Sequence, residues 1–177
     1  MIETLIKNPP RTILEVWESL PEGTLCQVIN NTLVMSPAPL DNHQKILGRI
    51  FAKVHAIVEE NNLGEVRVAP YDVHFNEENI FQPDIVFVAK ENTHLIKERG
   101  LYGAPDLVIE ILSPSNKSYD KKDKKQVYEK YGVKEYWIIE PTEKLVTGFT
   151  LMNNKFVQTT SVVGIIESKL LGSVFRF

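Results

Sequence analysis

Three charged side chains sit in or beside apolar patterns that would ordinarily exclude them. The run Leu107-Val108-Ile109-Glu110-Ile111-Leu112 carries a carboxylate in its middle. Downstream, the spacing predicts a helix from Ser118 to Tyr131. At about 100° per residue, Val127, Tyr128 and Tyr131 gather on one side, and Lys121, Lys122, Lys125, Gln126, Glu129 and Lys130 fill the other. Lys124 falls inside the apolar arc, with Asp120 near it. An ionised group buried alone costs roughly several kcal/mol, so each of these needs a partner, a metal or a task. Strand parity puts Asp106, Val108, Glu110 and Leu112 on one face. Asp84 opens the preceding strand, after Pro83. If the two strands are neighbours, Asp84 and Glu110 meet at one end of a sheet. Two carboxylates from different strands form a seat for a hard divalent cation, Mg²⁺ or Mn²⁺, and the Ile111 carbonyl offers a third ligand. Lys124 arrives from the crossover helix. That set suits phosphodiester hydrolysis: a bound metal acidifies a water and stabilises the developing negative charge, and a lysine orients or deprotonates the water or neutralises the scissile phosphate.

Structural readings compete with each of these. An acid after proline at a strand start is common turn chemistry. Lys124 can send its head to solvent from the edge of the apolar face. Glu110 and Lys124 can form a purely structural buried pair. His43, in line with Ile46, Leu47 and Ile50, reads by itself as a packed or capping histidine. Tyr128 and Tyr131 read as core aromatics, with the Tyr128 hydroxyl near Lys124. Gln82 and Asp72 are weaker site candidates.

The elements that must carry these groups follow from pattern. With 177 residues, 43% of them hydrophobic, the chain suits one domain spanning 1–177 with a full core. A single cysteine, Cys26, excludes an intramolecular disulfide and a Cys-rich zinc site and fits a reducing cytoplasm. The first residues lack the apolar core of a signal peptide, and no apolar stretch approaches the roughly 20 residues of a membrane span. The net charge of −3 excludes a generally basic nucleic-acid binder. Lys117, Lys121, Lys122, Lys125, Lys130 and Lys134 form the one obvious basic cluster, a solvated face or a track for a DNA backbone. A short helix is expected over Thr12 to Leu20, then a hairpin of 25–29 and 32–35 closed by Asn30-Asn31. A long helix begins after Ser36-Pro37-Ala38-Pro39, capped by Asp41 or Asn42, and ends at Asn61 to Gly64. Strands are expected at 65–68, 72–75, 85–88, 106–112 and around Tyr136 to Ile139, with a polar turn at 76–79 and a short helix or loop at 93–100. The strand, helix, strand order around Lys124 predicts a parallel crossover. A final hairpin pairs 145–151 with 156–160. The result is an α/β domain with a mixed sheet.

The chain resembles the Uma2 family of endonucleases, within the restriction-endonuclease-like PD-(D/E)xK superfamily. The resemblance rests on Met35-Ser36-Pro37-Ala38-Pro39 followed by His43, on Val68-Ala69-Pro70-Tyr71-Asp72-Val73, and on Gln82-Pro83-Asp84-Ile85-Val86. It continues through Gly103 to Ser115, which contains Glu110, then Asp120, Lys124, Tyr128, Tyr131 and Gly132-Val133-Lys134-Glu135-Tyr136-Trp137. It runs from about Leu20 to the C-terminus. It implies an αβββαβ core with extra N- and C-terminal β-hairpins, Asp84 as the PD aspartate and Glu110 as the D/E position. It implies a Mg²⁺- or Mn²⁺-dependent DNA endonuclease, acting as a homodimer because cutting two strands takes two sites. The superfamily lysine two residues after the acid is Leu112 here. The Uma2-like pattern moves it to Lys124, the residue that the helix face singles out independently. The resemblance also brings His43 to the border of the site, against phosphate or behind the metal. Asp106 follows a second proline but lies about 13 Å along the strand from Glu110, too far to share an ion. The rival readings are a catalytically inactive DNA- or protein-binding module on the same fold, and hydrolysis of another phosphate ester or nucleotide.

Overall fold

The computed structural model describes residues 10–21, 23–113 and 119–177, with only the backbone of 119–121. Helix α1 (Ile13–Glu18) starts at a capping box: the Thr12 hydroxyl accepts from the Glu15 N–H, and the Glu15 carboxylate accepts from the Thr12 N–H. Strands β1 (Cys26–Ile29) and β2 (Thr32–Met35) form the expected hairpin. Asn30 and Asn31 close it at φ of 48° and 58°, the region that asparagine tolerates best after glycine. Helix α2 (Asp41–Glu60) buries Ile46, Leu47, Ile50, Val54 and Val58 on one stripe, as its spacing requires. Its N-cap is Leu40, which makes no side-chain capping bond; Asp41, expected as a cap, is already the first helical residue.

The chain continues through β3 (Gly64–Val68), β4 (Val73–Asn76), β5 (Asn79–Phe81) and β6 (Ile85–Ala89). A 3₁₀ turn over Lys90–Leu95 leads to β7 (Ile96–Lys97), β8 (Gly100–Tyr102) and β9 (Leu107–Ile111). The helix expected from Ser118 is two structures: a π-helical turn over Tyr119–Lys124, then α3 (Lys125–Tyr131). Gly132 ends α3 at φ 88°, a left-handed position that a Cβ would strain. The remaining strands are β10 (Glu135–Glu140), β11 (Leu145–Met152), β12 (Lys155–Val163), β13 (Ile165–Ser168) and β14 (Ser173–Arg176).

The central sheet has the order β12-β11-β10-β9-β6-β3. Strands β9 and β10 run parallel, joined through α3, and the other pairs are antiparallel. Residue parity divides its faces. Ile85, Phe87, Leu107, Ile109, Ile111, Trp137 and Ile139 pack against α2 and the β13–β14 hairpin. Val86, Val88, Val108, Leu112, Tyr136 and Ile138 pack against α3 and a second sheet of order β2-β1-β5-β4-β8-β7. In chain order α2, β3, β6, β9, α3 and β10 make the expected αβββαβ core. The second sheet is more than the expected hairpin, and β5, β7, β8 and the β13–β14 hairpin were not expected as strands. They are two to four residues long, so local periodicity carries little of their signal. Among the described residues no helix is long and apolar enough to cross a membrane.

Candidate functional site

Antiparallel pairing of β6 and β9 sets Ile85 opposite Ile109 and Val86 opposite Val108. Extending that register by one residue brings Asp84, just ahead of β6, opposite Glu110. Asp84 Oδ2 accepts the backbone N–H of Ile111 at 2.7 Å, so its carboxylate caps the end of the neighbouring strand. His43, on the first turn of α2, places Nε2 at 3.2 Å from the same oxygen. A carboxylate held by two donors on one oxygen has its orientation fixed without using the other.

Glu110 projects to the opposite side from its neighbours Ile109 and Ile111, towards α3. It is 3% exposed and Lys124 is 2% exposed. Lys124 Nζ donates to Glu110 Oε1 at 2.9 Å, and the Tyr128 hydroxyl donates to the same oxygen at 2.7 Å. Lys124 and Tyr128 are four residues apart, the spacing that stacks two side chains on one helical face. Tyr128 is also fully buried among Phe75, Phe81 and Tyr136. It is therefore both a core aromatic and a polar contact of the site. Leu112, two residues after Glu110, is buried in the apolar cluster. Lys124 supplies a cation to Glu110 from the helix instead.

Asp84, Glu110, Ile111, Lys124 and His43 all line one cleft of about 410 Å³. Gln82 lines it too, its backbone N–H held by Gln27 and its amide by Asp72. Asp72 supports Gln82 and is not among the lining residues. Asp106 is not either: Ala89 N–H, Asn92 and Lys134 satisfy it at the far end of β9. The Asp120 and Lys121 side chains and all of Lys117 lie outside the described residues. What the sequence reading missed is the apolar part of the cleft lining, made by Leu25, the Pro37–Leu40 segment and Pro70. The signal was present in Ser36-Pro37-Ala38-Pro39, which reads as a simple break in regular structure.

Burial alone would lower the proton affinity of His43. The hydrogen bond and charge of Asp84, the Ile111 carbonyl and the charge of Glu110 outweigh it, and the imidazole pKa lies above its usual value. The donor set also has a clear preference. Two carboxylates and a main-chain carbonyl are hard oxygen ligands, and Mg²⁺ is commonly held by one or two carboxylates with water and substrate phosphate completing its shell. Among the described residues no cluster of three or more His, Cys, Asp or Glu suited to a metal occurs. The arrangement thus fits a cation shared with substrate and does not fit a closed structural site.

The family model of Uma2, described as a putative restriction endonuclease, matches residues 14–171. Among solved structures, the chain is similar to the crystal structure of a putative nuclease belonging to DUF820 from Anabaena variabilis. The two share 17% of residues over 92% of this chain and 91% of that one, with a TM-score of 0.74. At that identity the likeness concerns the fold. Comparison with curated proteins gives no match.

Proposed function

Since this chain belongs to the Uma2 family of putative restriction endonucleases, we propose that it hydrolyses DNA phosphodiester bonds with a divalent cation, Mg²⁺ or Mn²⁺. The supporting observation is the convergence of Asp84, Glu110 and Lys124, from two strands and the crossover helix, on one cleft. Asp84 and Glu110 hold the cation with the Ile111 carbonyl. The cation, when bound, supplies a water of lowered pKa and charge stabilisation at the phosphate. The Ile111 N–H and His43 fix Asp84 against rotation. Lys124 holds the Glu110 carboxylate and carries the positive charge that offsets the charge growing on the scissile phosphate. As an ammonium donating to a carboxylate, Nζ has no lone pair to take a proton, so neutralisation is favoured over the role of base. His43 stands beside Asp84 and helps hold its carboxylate in place.

The test is cleavage of plasmid and single-stranded DNA with Mg²⁺ or Mn²⁺, run beside Glu110→Gln. Metal-dependent cleavage by the wild type, lost in the variant, is expected. Equal cleavage by both proteins, or none by either, overturns the proposal. Absence of cleavage with retained DNA binding would instead support an inactive binding module.

A further inference from the structure

The cleft lining is of two kinds. One carries the Asp84 and Glu110 carboxylates, with Lys124 and His43 each engaged by one of them. The other is apolar and largely solvent-facing: Pro37, Ala38, Pro39 and Leu40 are exposed, and the Leu40 side chain stands open at 65%. This wall is anchored in place. The Ser36 N–H donates to the Leu25 carbonyl at 2.8 Å, the Gln27 amide reaches the Ser36 hydroxyl at 3.3 Å, and Leu40 leads directly into α2. An exposed apolar segment fixed beside a polar site calls for an apolar occupant.

Intact duplex is a poor match. A protein that grips duplex DNA lays cations along two phosphate strands, and its affinity rests on them. Among the described residues that line this cleft, Lys124 and His43 are the only side chains that carry or can take positive charge, and each is already against a carboxylate. The chain as a whole carries −3. The volume, about 410 Å³, lies at the small end of the roughly 300–1,000 Å³ range of ligand pockets. It suits one nucleotide unit. An unpaired nucleotide also matches both kinds of lining: an apolar base face for the exposed segment, and a phosphate for the divalent cation that Asp84 and Glu110 would hold. Apolar contact with a base is sequence-tolerant, because every base presents a π-face.

We infer that the substrate enters as an unpaired nucleotide of single-stranded or locally opened DNA, its base against the Pro37–Leu40 wall and its phosphate at the divalent cation that Asp84 and Glu110 would hold. This rests on the nuclease proposal above and narrows its substrate. Leu40 is the informative position. Leu40→Ser removes apolar wall and installs a favoured N-cap residue on α2, so the fold is not weakened.

The experiment measures anisotropy of labelled DNA of one sequence, single-stranded or annealed to its complement, with Ca²⁺ present, and cleavage of the same DNAs with Mg²⁺. The wild type is expected to bind the single strand about 10-fold or more tighter than the duplex, and to cut it faster. Leu40→Ser is expected to weaken single-strand binding about 3-fold or more, to leave duplex binding unchanged, and to melt no lower than the wild type. Duplex bound and cut as well as single strand overturns the inference and leaves the nuclease proposal standing. Unchanged single-strand binding by Leu40→Ser has the same consequence. Failure to bind or cut either DNA removes both.

Discussion

Strand β9 carries a buried acid near each end, and the two ends differ in how the acid is held. Asp106, just before the strand, accepts from the Ala89 N–H at 2.7 Å, from Asn92 at 3.0 and 3.1 Å, and from Lys134 at 2.7 Å. These donors come from three separate segments and enclose the carboxylate. Glu110, four residues on and on the same face, accepts from Lys124 and Tyr128 on Oε1 and lines the cleft. Glu135 on the adjacent β10 resembles Asp106: the Trp137 indole and the Lys169 and Leu170 N–H groups hold it, and it anchors the turn between β13 and β14. A buried carboxylate is therefore not by itself a mark of function. Donors that arrive from all sides make a brace. A buried carboxylate that lines a cleft beside a second carboxylate and a lysine makes a site.

The largest expected effect separates the two ends directly. Glu110→Gln should lower metal-dependent cleavage by more than roughly 100-fold, whereas Asp106→Asn should keep it. Both variants should also weaken the fold without metal, Glu110→Gln by leaving the buried Lys124 without its carboxylate, so cleavage is compared where both are folded. Asp106→Asn loses acceptors for several buried donors and should cost about 1–3 kcal/mol in chemical denaturation. Added Mn²⁺ should raise the melting temperature of the wild type and of Asp106→Asn but not of Glu110→Ala, because only a ligand bound to the native state stabilises it. Mn²⁺ stabilisation that survives in Glu110→Ala would reduce Glu110 to a second brace.

A smaller effect concerns Lys124. The apolar arc of its helix suggests that Met fits there without cost. The ion pair alters that expectation, since Lys124→Met strands a buried carboxylate and should cost about 3–5 kcal/mol. Combining it with Glu110→Gln should recover part of the loss, because no charge is then buried alone. Combining it with Asp106→Asn should give simple additivity. Coupling to Asp106 as strong as to Glu110 would erase the distinction between the two ends.

Legibility in the sequence followed the same division. Glu110 and Lys124 could be singled out because each breaks a strong local period and Asp84 because it opens the neighbouring strand, His43 came forward through the resemblance, and the fold brings all four to one cleft. The αβββαβ order was legible because its strands and long helix carry saturated apolar patterns. The second sheet was not. β5 is three residues beside what reads as a polar turn, and β7 and β8 are shorter than the window in which alternation becomes visible. The π-helical turn before α3 was missed for a related reason: a 3.6-residue period was assumed throughout Ser118 to Tyr131. The Lys124 to Tyr128 spacing survives it because both side chains sit at or past the point where α geometry resumes. The apolar wall at Pro37–Leu40 is a property of surface shape, which no period encodes.

The smallest effect sharpens the contrast through another pair of one residue type, the histidines. His43 lies against a carboxylate, but His74 lies in an aromatic stack away from the cleft. Its ring is 4.2 Å from that of Tyr102 with planes 4° apart, and 5.4 Å from Trp17 edge-on. Its Nε2 is buried with no hydrogen-bond partner among the described residues. Burial lowers its pKa below the ordinary value, and the charges of Asp72 and Glu18 only partly offset that. The sign follows. The unfolded chain takes up a proton near pH 6.5 while the folded chain resists it, so the folded state loses stability as pH falls below about 6.5, until the folded pKa is passed. Above that pH the group contributes no slope. Replacing it with glutamine removes the term, so the melting-temperature gap between the wild type and His74→Gln should narrow as pH falls from neutral towards 5. Groups common to both proteins cancel in that difference. A gap that stays constant, or widens on acidification, would show that His74 is protonated as easily folded as unfolded, and that the stack of Trp17, His74 and Tyr102 is not the closed apolar contact that holds α1 against the second sheet.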